Sequence, residues 1–314
     1  MNLKSFFKLV EIQTKVASLF PLLIGTLFTL HRYGRFDILV FLIFFVSLLC
    51  IDLATTAINN FMDYKKAIKK DGYNYEIHNA MVRDGISEKA ALVTIITLLI
   101  LGSFLGIILF LITDLVVLFV GILSFAIGVT YSYGPIPISR TPFGELFSGV
   151  VMGGLILFLT VYIQVFDTNI ISADLSSLML SLNVNLEEML SIFFISLPLI
   201  FLISNIMLAN NICDLDDDVI NRRYTLPYYI GKKNSLLIYV LLNILPFIVV
   251  IIGVVFKILP VENYLVLIAA IPIYKNIKVF LSVQIKAETF IVAVKNLLVF
   301  GVLWAGSFII SFFV

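Results

Sequence analysis

Long apolar runs, not alternation, organise this chain. A helix that crosses the hydrocarbon core of a bilayer needs about 20 mostly apolar residues. Polar breaks divide the sequence into nine such runs: Ile12–Leu30, Ile38–Met62, Ala90–Ile112, Leu115–Tyr131, Phe143–Phe166, Met189–Ile212, Ser235–Phe256, Val261–Val279 and Thr289–Val314. Each predicts a spanning helix. The eighth has the shortest clean core and must carry Lys275 and Lys278, whose long stems can reach an interface. Three breaks are long. Asp63 to Ser87 and Asp214 to Asn234 have the length of functional loops that could close over a bundle mouth. Asp167 to Glu188, polar with scattered leucines, predicts an interfacial helix. Ser87 is placed to cap the third helix. The expected fold is all-α: a single domain over residues 1–314, a polytopic bundle of nine transmembrane helices with cytoplasmic cap loops.

Composition agrees. The chain is 61% hydrophobic and 13% charged, with a mean hydropathy of +1.10. A water-soluble domain of this size needs far more polar surface. The net charge of +1 gives no footing for nucleic acid. Met1 to Gln13 lacks the pattern of a cleavable signal peptide, so the first span is expected to serve as the insertion signal. Cys50 and Cys213 have no disulfide or metal-type spacing and read as small buried side chains.

Charge placement orients the bundle. With nine spans, nearly all of the 21 Lys+Arg fall on the side of the N-terminus and of the turns after the second, fourth, sixth and eighth helices. The opposite loops hold only Arg32, Arg35 and Lys257, and Lys295 lies inside the ninth span. The positive-inside rule makes the first side cytoplasmic and puts the C-terminus outside, in a protein of the cell membrane.

The candidate chemistry sits on that cytoplasmic side. The pattern Asn-Asn-x-x-Asp occurs twice at the ends of spans, as Asn59-Asn60-Phe61-Met62-Asp63 and Asn210-Asn211-Ile212-Cys213-Asp214, the second running on to Asp216, Asp217 and Asp218. Asp52, Thr56, Asn59 and Asp63 fall on one helix face, as do Asn211, Asp214 and Asp218. Two facing stripes of hard oxygen donors suit Mg²⁺, which commonly shares phosphate oxygens of a substrate. Acids at a helix end can also merely solvate it, which is as good a reading for Asp216 and Asp217. Lys66, Arg83, Arg222 and Arg223 lie in the same two loops and could neutralise a diphosphate. Topology alone asks for cations there, and Lys66 and Arg223 are the preferred exceptions. Lys295 is an intramembrane lysine, hence a functional candidate, with snorkelling as the alternative.

Asn210-Asn211-x-x-Asp214-x-x-x-Asp218, followed by Asn221-Arg222-Arg223-Tyr224-Thr225-Leu226, resembles the second Asp-rich motif of the UbiA superfamily of intramembrane prenyltransferases, and Asn59-x-x-x-Asp63 resembles the first. The doubled Asn, the segment Tyr131-Ser132-Tyr133-Gly134-Pro135-Ile136-Pro137-Ile138-Ser139-Arg140-Thr141-Pro142 and the run from Lys15 to Thr26 are most similar to the branch that prenylates 1,4-dihydroxy-2-naphthoate. One departure stands out: where that first motif usually has a further Asp, this chain has Ala67, with Asp71 four residues on. The resemblance implies a Mg²⁺-dependent transfer of a polyprenyl group from its diphosphate to an aromatic acceptor, with loss of CO₂ and formation of demethylmenaquinone. It implies Asp63, Asp71, Asp214 and Asp218 as metal ligands, with Asp63, Asp214 and Asp218 essential to catalysis. Asn59, Asn210, Asn211 and the loop cations would bind the diphosphate. Tyr131 and Tyr133 would face the carbocation, and Arg140 or Lys295 would meet an acceptor carboxylate. Other acceptors, such as 4-hydroxybenzoate, stay open. So do two rival classes: a cation- or proton-coupled transporter, against which stands the clustering of acids at one face, and a CDP-alcohol phosphotransferase, whose Asp-Gly…Ala-Arg signature does not continue from Asp84-Gly85.

Overall fold

The computed structural model describes residues 2–66, 79–168, 170–176 and 179–314. Among these, nine helices are long and apolar enough to cross a membrane: α1 (Val16–Tyr33), α2 (Ile38–Lys65), α3 (Glu88–Ile112), α4 (Leu115–Ser132), α5 (Gly144–Thr168), α6 (Leu186–Cys213), α7 (Leu226–Val255), α8 (Val261–Ser282) and α9 (Ile291–Ile310). All nine expected spans are present. Ser87 caps α3 as its position predicts, its hydroxyl accepting from the Ala90 N–H at 3.3 Å.

The eighth span is wound to fit. Val261–Ala269 is a nine-residue 3₁₀ helix before α-helix resumes at Ala270. The tighter winding gains about 0.5 Å of rise per residue, which stretches a short apolar segment. Lys278 then lays its ammonium 4.5 Å from the centre of the Tyr274 ring.

Two expectations are corrected. Where an interfacial helix is expected there are two antiparallel strands: β1 (Ile171–Ser176) pairs with β2 (Met179–Val184), from Ile171 opposite Val184 to Ser176 opposite Met179. The segment Leu180-Ser181-Leu182-Asn183-Val184 alternates apolar and polar, the period of a strand. The stretch after α6 is also largely helical rather than loop. A short helix covers Leu215–Ile220, and α7 begins at Leu226, well before Ser235, with a break at Gly231 (φ 78°).

The core is a belt of large side chains between α1, α5, α6 and α9, among them Phe28, Leu157, Tyr162, Ile195, Leu199, Phe300 and Trp304. The faces of α3 and α4 turned away from it carry exposed Ile96, Ile100, Phe104, Ile107, Leu111 and Ile122, as a lipid-facing surface must. Helix α5 meets α6 through Gly149 and Gly153, which lie in a π-helical stretch, Gly149–Leu155. A Cβ on Gly153 would stand 2.6 Å from the Ile200 nitrogen and 2.7 Å from the Leu199 carbonyl carbon. These are backbone atoms that cannot swing aside, so the glycines serve close helix approach. Gly153→Ala is expected to lower stability by about 1–3 kcal/mol, read as a lower unfolding temperature of the detergent-solubilised protein. An unchanged temperature would mean that α5 and α6 do not touch there.

The end of the bundle that holds the α1–α2, α5–α6 and α7–α8 connections is fastened by polar locks. Glu188 accepts two bonds from Arg32, at 2.8 and 2.9 Å, and one from Tyr33. Tyr162 donates to Asp114 and reaches the Ile171 carbonyl at 2.9 Å. The strand pair belongs to this end.

Candidate active site

At the opposite end the two Asn-Asn-x-x-Asp segments terminate α2 and α6, and their paired asparagines divide the work in the same way. Asn60 and Asn211 are buried and fasten their helices: Asn60 donates to the Leu9 carbonyl and to Glu11, both at 3.0 Å, and Asn211 donates to Glu145 at 2.8 Å. Asn59 and Asn210 are only half-buried. Asn59 accepts from Ser132 at the end of α4, at 3.0 Å.

The aspartates come next. Asp63 closes α2, and Arg140 stands 4.0 Å from it. Asp214 ends α6, its N–H donating to the Asn210 carbonyl at 3.0 Å, and Asp218 follows one turn later. Arg222 adopts a left-handed φ of 54°. That reversal lets the Arg223 N–H donate to the Asp218 carbonyl at 2.8 Å. The Arg223 guanidinium then lies 3.7 Å from the Asp218 carboxylate and donates through Nε to the Ser139 carbonyl at 3.1 Å. The Tyr224 N–H donates to the Arg140 carbonyl at 3.3 Å. The segment 133–143 thus bridges the two acidic helix ends: its Arg140 faces Asp63, and its Ser139 carbonyl holds Arg223 beside Asp218.

The electrostatics are those of a site short of positive charge. Burial pushes the Asp218 carboxyl up to about 7; Arg223 opposes this, and the like charges of Asp214 and Asp63 add to it. Burial works against the Arg223 charge, but Asp218, Asp63 and Asp214 outweigh it and raise its pKa above the ordinary value. Three buried oxygens here, Asp218 Oδ2, Asn211 Oδ1 and Glu145 Oε2, have no hydrogen-bond partner. Unpaired oxygen acceptors in a buried acidic cluster fit a hard divalent cation. Among the described residues no three His, Cys, Asp or Glu side chains close a metal cage by themselves. The donor set fits an ion that takes its remaining ligands from a substrate.

Other expected residues are placed as follows. Tyr131 stands beside this cluster, its hydroxyl 3.4 Å from the Gly144 carbonyl and within electrostatic reach of Arg223 and Glu145, whereas Tyr133 is exposed. Arg83 pairs with Asp84 at 3.2 Å, and Asp84 also takes Lys8 at 2.8 Å. Arg222 is exposed, as are Asp216 and Asp217. Lys295 lies exposed on the outer face of α9. Asp71 and the Lys66 side chain lie outside the described residues. The polar face of α2 divides: Asp52 and Thr56 turn to Lys15, just before α1, and to Ser18 of α1, not to Asp63, Asp214 and Asp218.

Two residues join the site without having been singled out. Glu145 is buried at the start of α5 against Asn211. A carboxylate inside an apolar run was the available signal. Lys286, from the turn between α8 and α9, donates to Asp214. In the sequence it was one cytoplasmic cation among many.

Residues 18–289 match the model of the UbiA prenyltransferase family. The 1,4-dihydroxy-2-naphthoate octaprenyltransferase of Bacillus subtilis (strain 168) is 31% identical over 229 residues, 73% of this chain and 67% of that one. The apo structure of a UbiA homolog from Aeropyrum pernix K1 superposes with a TM-score of 0.71 at 18% identity, over 93% of this chain and 97% of that one. A UbiA homolog from Archaeoglobus fulgidus, bound to GPP and Mg²⁺, superposes with a TM-score of 0.61 at 15% identity, over 99% of this chain and 100% of that one.

Proposed function

The chain belongs to the UbiA prenyltransferase family, an integral membrane prenyltransferase by that membership, and from this premise we propose that it transfers a polyprenyl group from a polyprenyl diphosphate to 1,4-dihydroxy-2-naphthoate, with loss of CO₂. Membership sets aside the transporter and phosphotransferase readings. The observation that carries the proposal is the pairing of two acidic helix ends, Asp63 on one side and Asp214 and Asp218 on the other, across the segment 133–143, which bears Arg140 and holds Arg223 through the Ser139 carbonyl. The similarity to the Bacillus subtilis enzyme supports the acceptor. The GPP and Mg²⁺ bound to the Archaeoglobus fulgidus homolog support the donor and the metal.

In this reading Asp63, Asp214 and Asp218, together with Asp71, would hold Mg²⁺. The bound ion would draw charge from the diphosphate as the allylic C1–O bond breaks. Arg223 is fixed by Ser139 and Asp218, so it meets the diphosphate with little reorganisation, and this is what makes a preorganised cation effective. Asn59 and Asn210 offer amide donors at its edge. The apolar bundle beneath the aspartates would exclude water from the carbocation, and Tyr131, beside Arg223 and Glu145, would offer it an aromatic face. Arg140, half-buried at the same mouth, is the better partner for an acceptor carboxylate, because Lys295 faces outward. The positive-inside pattern puts this mouth on the cytoplasmic side of the cell membrane.

The test is turnover on membranes containing the protein, given 1,4-dihydroxy-2-naphthoate and geranylgeranyl diphosphate with Mg²⁺ or with EDTA. Mass spectrometry is expected to find a prenylated, decarboxylated naphthoquinone only with Mg²⁺. Prenylation of 4-hydroxybenzoate instead would move the acceptor and keep the reaction class.

A further inference from the structure

We propose that Lys286 is a diphosphate-binding residue of this site, parked on Asp214 until metal and substrate arrive. The inference rests on the prenyl diphosphate reading above and deepens it.

Lys286 is presented by a built turn, not by a loose tail. Between α8 and α9 the Thr289 hydroxyl accepts from the Ile285 N–H at 3.0 Å and donates to the Ile285 carbonyl at 3.1 Å. The N–H groups of Glu288 and Thr289 donate to that same carbonyl. Thr289 is buried. The turn therefore directs the lysine stem over the end of α6, where its ammonium donates to Asp214 Oδ2. The lysine side chain is 35% exposed and that of Asp214 14%, so the pair sits at the rim of the mouth and remains reachable by an incoming ligand.

The two occupants of Asp214 compete. A carboxylate oxygen that accepts from an ammonium is less available to a divalent cation, and the two cations repel. When a metal ion takes Asp214, the ammonium must find another acceptor within reach of a flexible four-carbon stem. A diphosphate held by that same ion places several anionic oxygens there, and Lys has three donors to offer them. On cleavage of the C1–O bond the electron pair stays on the diphosphate, and a lysine so placed meets the added charge. After the diphosphate leaves, Lys286 returns to Asp214. Arg223 cannot exchange in this way, because its guanidinium is anchored to the Ser139 carbonyl.

The exchange predicts two changes of opposite sign in Lys286→Met. Mn²⁺ alone, followed by its paramagnetic resonance, is expected to bind the purified protein more tightly, because the competitor is gone. Geranyl S-thiolodiphosphate, titrated calorimetrically at saturating Mg²⁺, is expected to bind about 10- to 100-fold more weakly, the worth of one lost charge-assisted hydrogen bond. Lys286→Arg is expected to restore most of the analogue affinity. Unchanged analogue affinity in the Met variant would overturn the proposal, and so would a parallel loss of both ligands, the mark of a damaged site. If Lys286→Met does not fold, Lys286→Gln carries the same two measurements. Failure of the unaltered protein to bind the analogue, with Mn²⁺ binding intact, would instead overturn the prenyl diphosphate reading.

Discussion

Asp214→Ala is expected to lower prenyl transfer by about 10²- to 10³-fold, the cost of removing one preorganised charge from a transition state. The structural cost of this change is small. The hydrogen bond that ends α6 runs from the Asp214 N–H to the Asn210 carbonyl and survives substitution. The side chain itself meets Lys286 at the rim. Protein yield and unfolding temperature should therefore stay near those of the parent while initial rates collapse. Asp63→Ala should behave alike. Asp218→Ala is expected to lose turnover too, with some loss of order, because its carboxylate also steers Arg223. Rates measured at matched amounts of folded protein are the check, and a fully active Asp214→Ala protein would sink the metal-diphosphate assignment.

The second large effect is on stability. Lys15 and Asp52 form an ion pair between the start of α1 and the middle of α2, with only 4% and 7% of their side chains exposed. The Lys15 ammonium reaches Asp52 Oδ1 at 2.8 Å and Thr56 at 2.6 Å, and the Ser18 hydroxyl donates to Asp52 Oδ2 at 2.6 Å. Removing one partner leaves a buried charge without its complement, which costs about 3–5 kcal/mol. Asp52→Ala and Lys15→Met are each expected to destabilise the protein by that amount. The double variant should be far less damaged than the two losses added together, because the apolar pair leaves no stranded charge. Unfolding of all four proteins in detergent gives the cycle. Additive losses, or single losses under about 0.5 kcal/mol, would show that water reaches this pair.

The face Asp52, Thr56, Asn59, Asp63 was legible as one helical stripe, and the register is right. Yet it divides, because Lys15, just before α1, and Ser18 at the start of α1 reach Asp52 and Thr56. The doubled asparagines were legible as a repeat. That Asn60 and Asn211 hold neighbouring segments while Asn59 and Asn210 remain half-buried follows only from which helices pack alongside. Glu145 and Lys286 were invisible as partners, since the first meets Asn211 and the second Asp214 across 66 and 72 positions of chain.

The sequence alone determined the nine spans, and it pointed to the bundle end where the two Asn-Asn-x-x-Asp segments lie. Each follows from a local rule: a segment enters the bilayer only if about 20 successive residues are apolar, and a charge near that boundary must have a reason to be there. The tertiary structure decided the pairings. A helix that is apolar on every side does not say which face meets protein and which meets lipid, so its polar residues have no fixed partner until packing supplies one. The strand pair after α5 shows the same limit from the other side. There the strand period was present in the residues, but only the antiparallel pairing of β1 with β2 brings Ile171 opposite Val184.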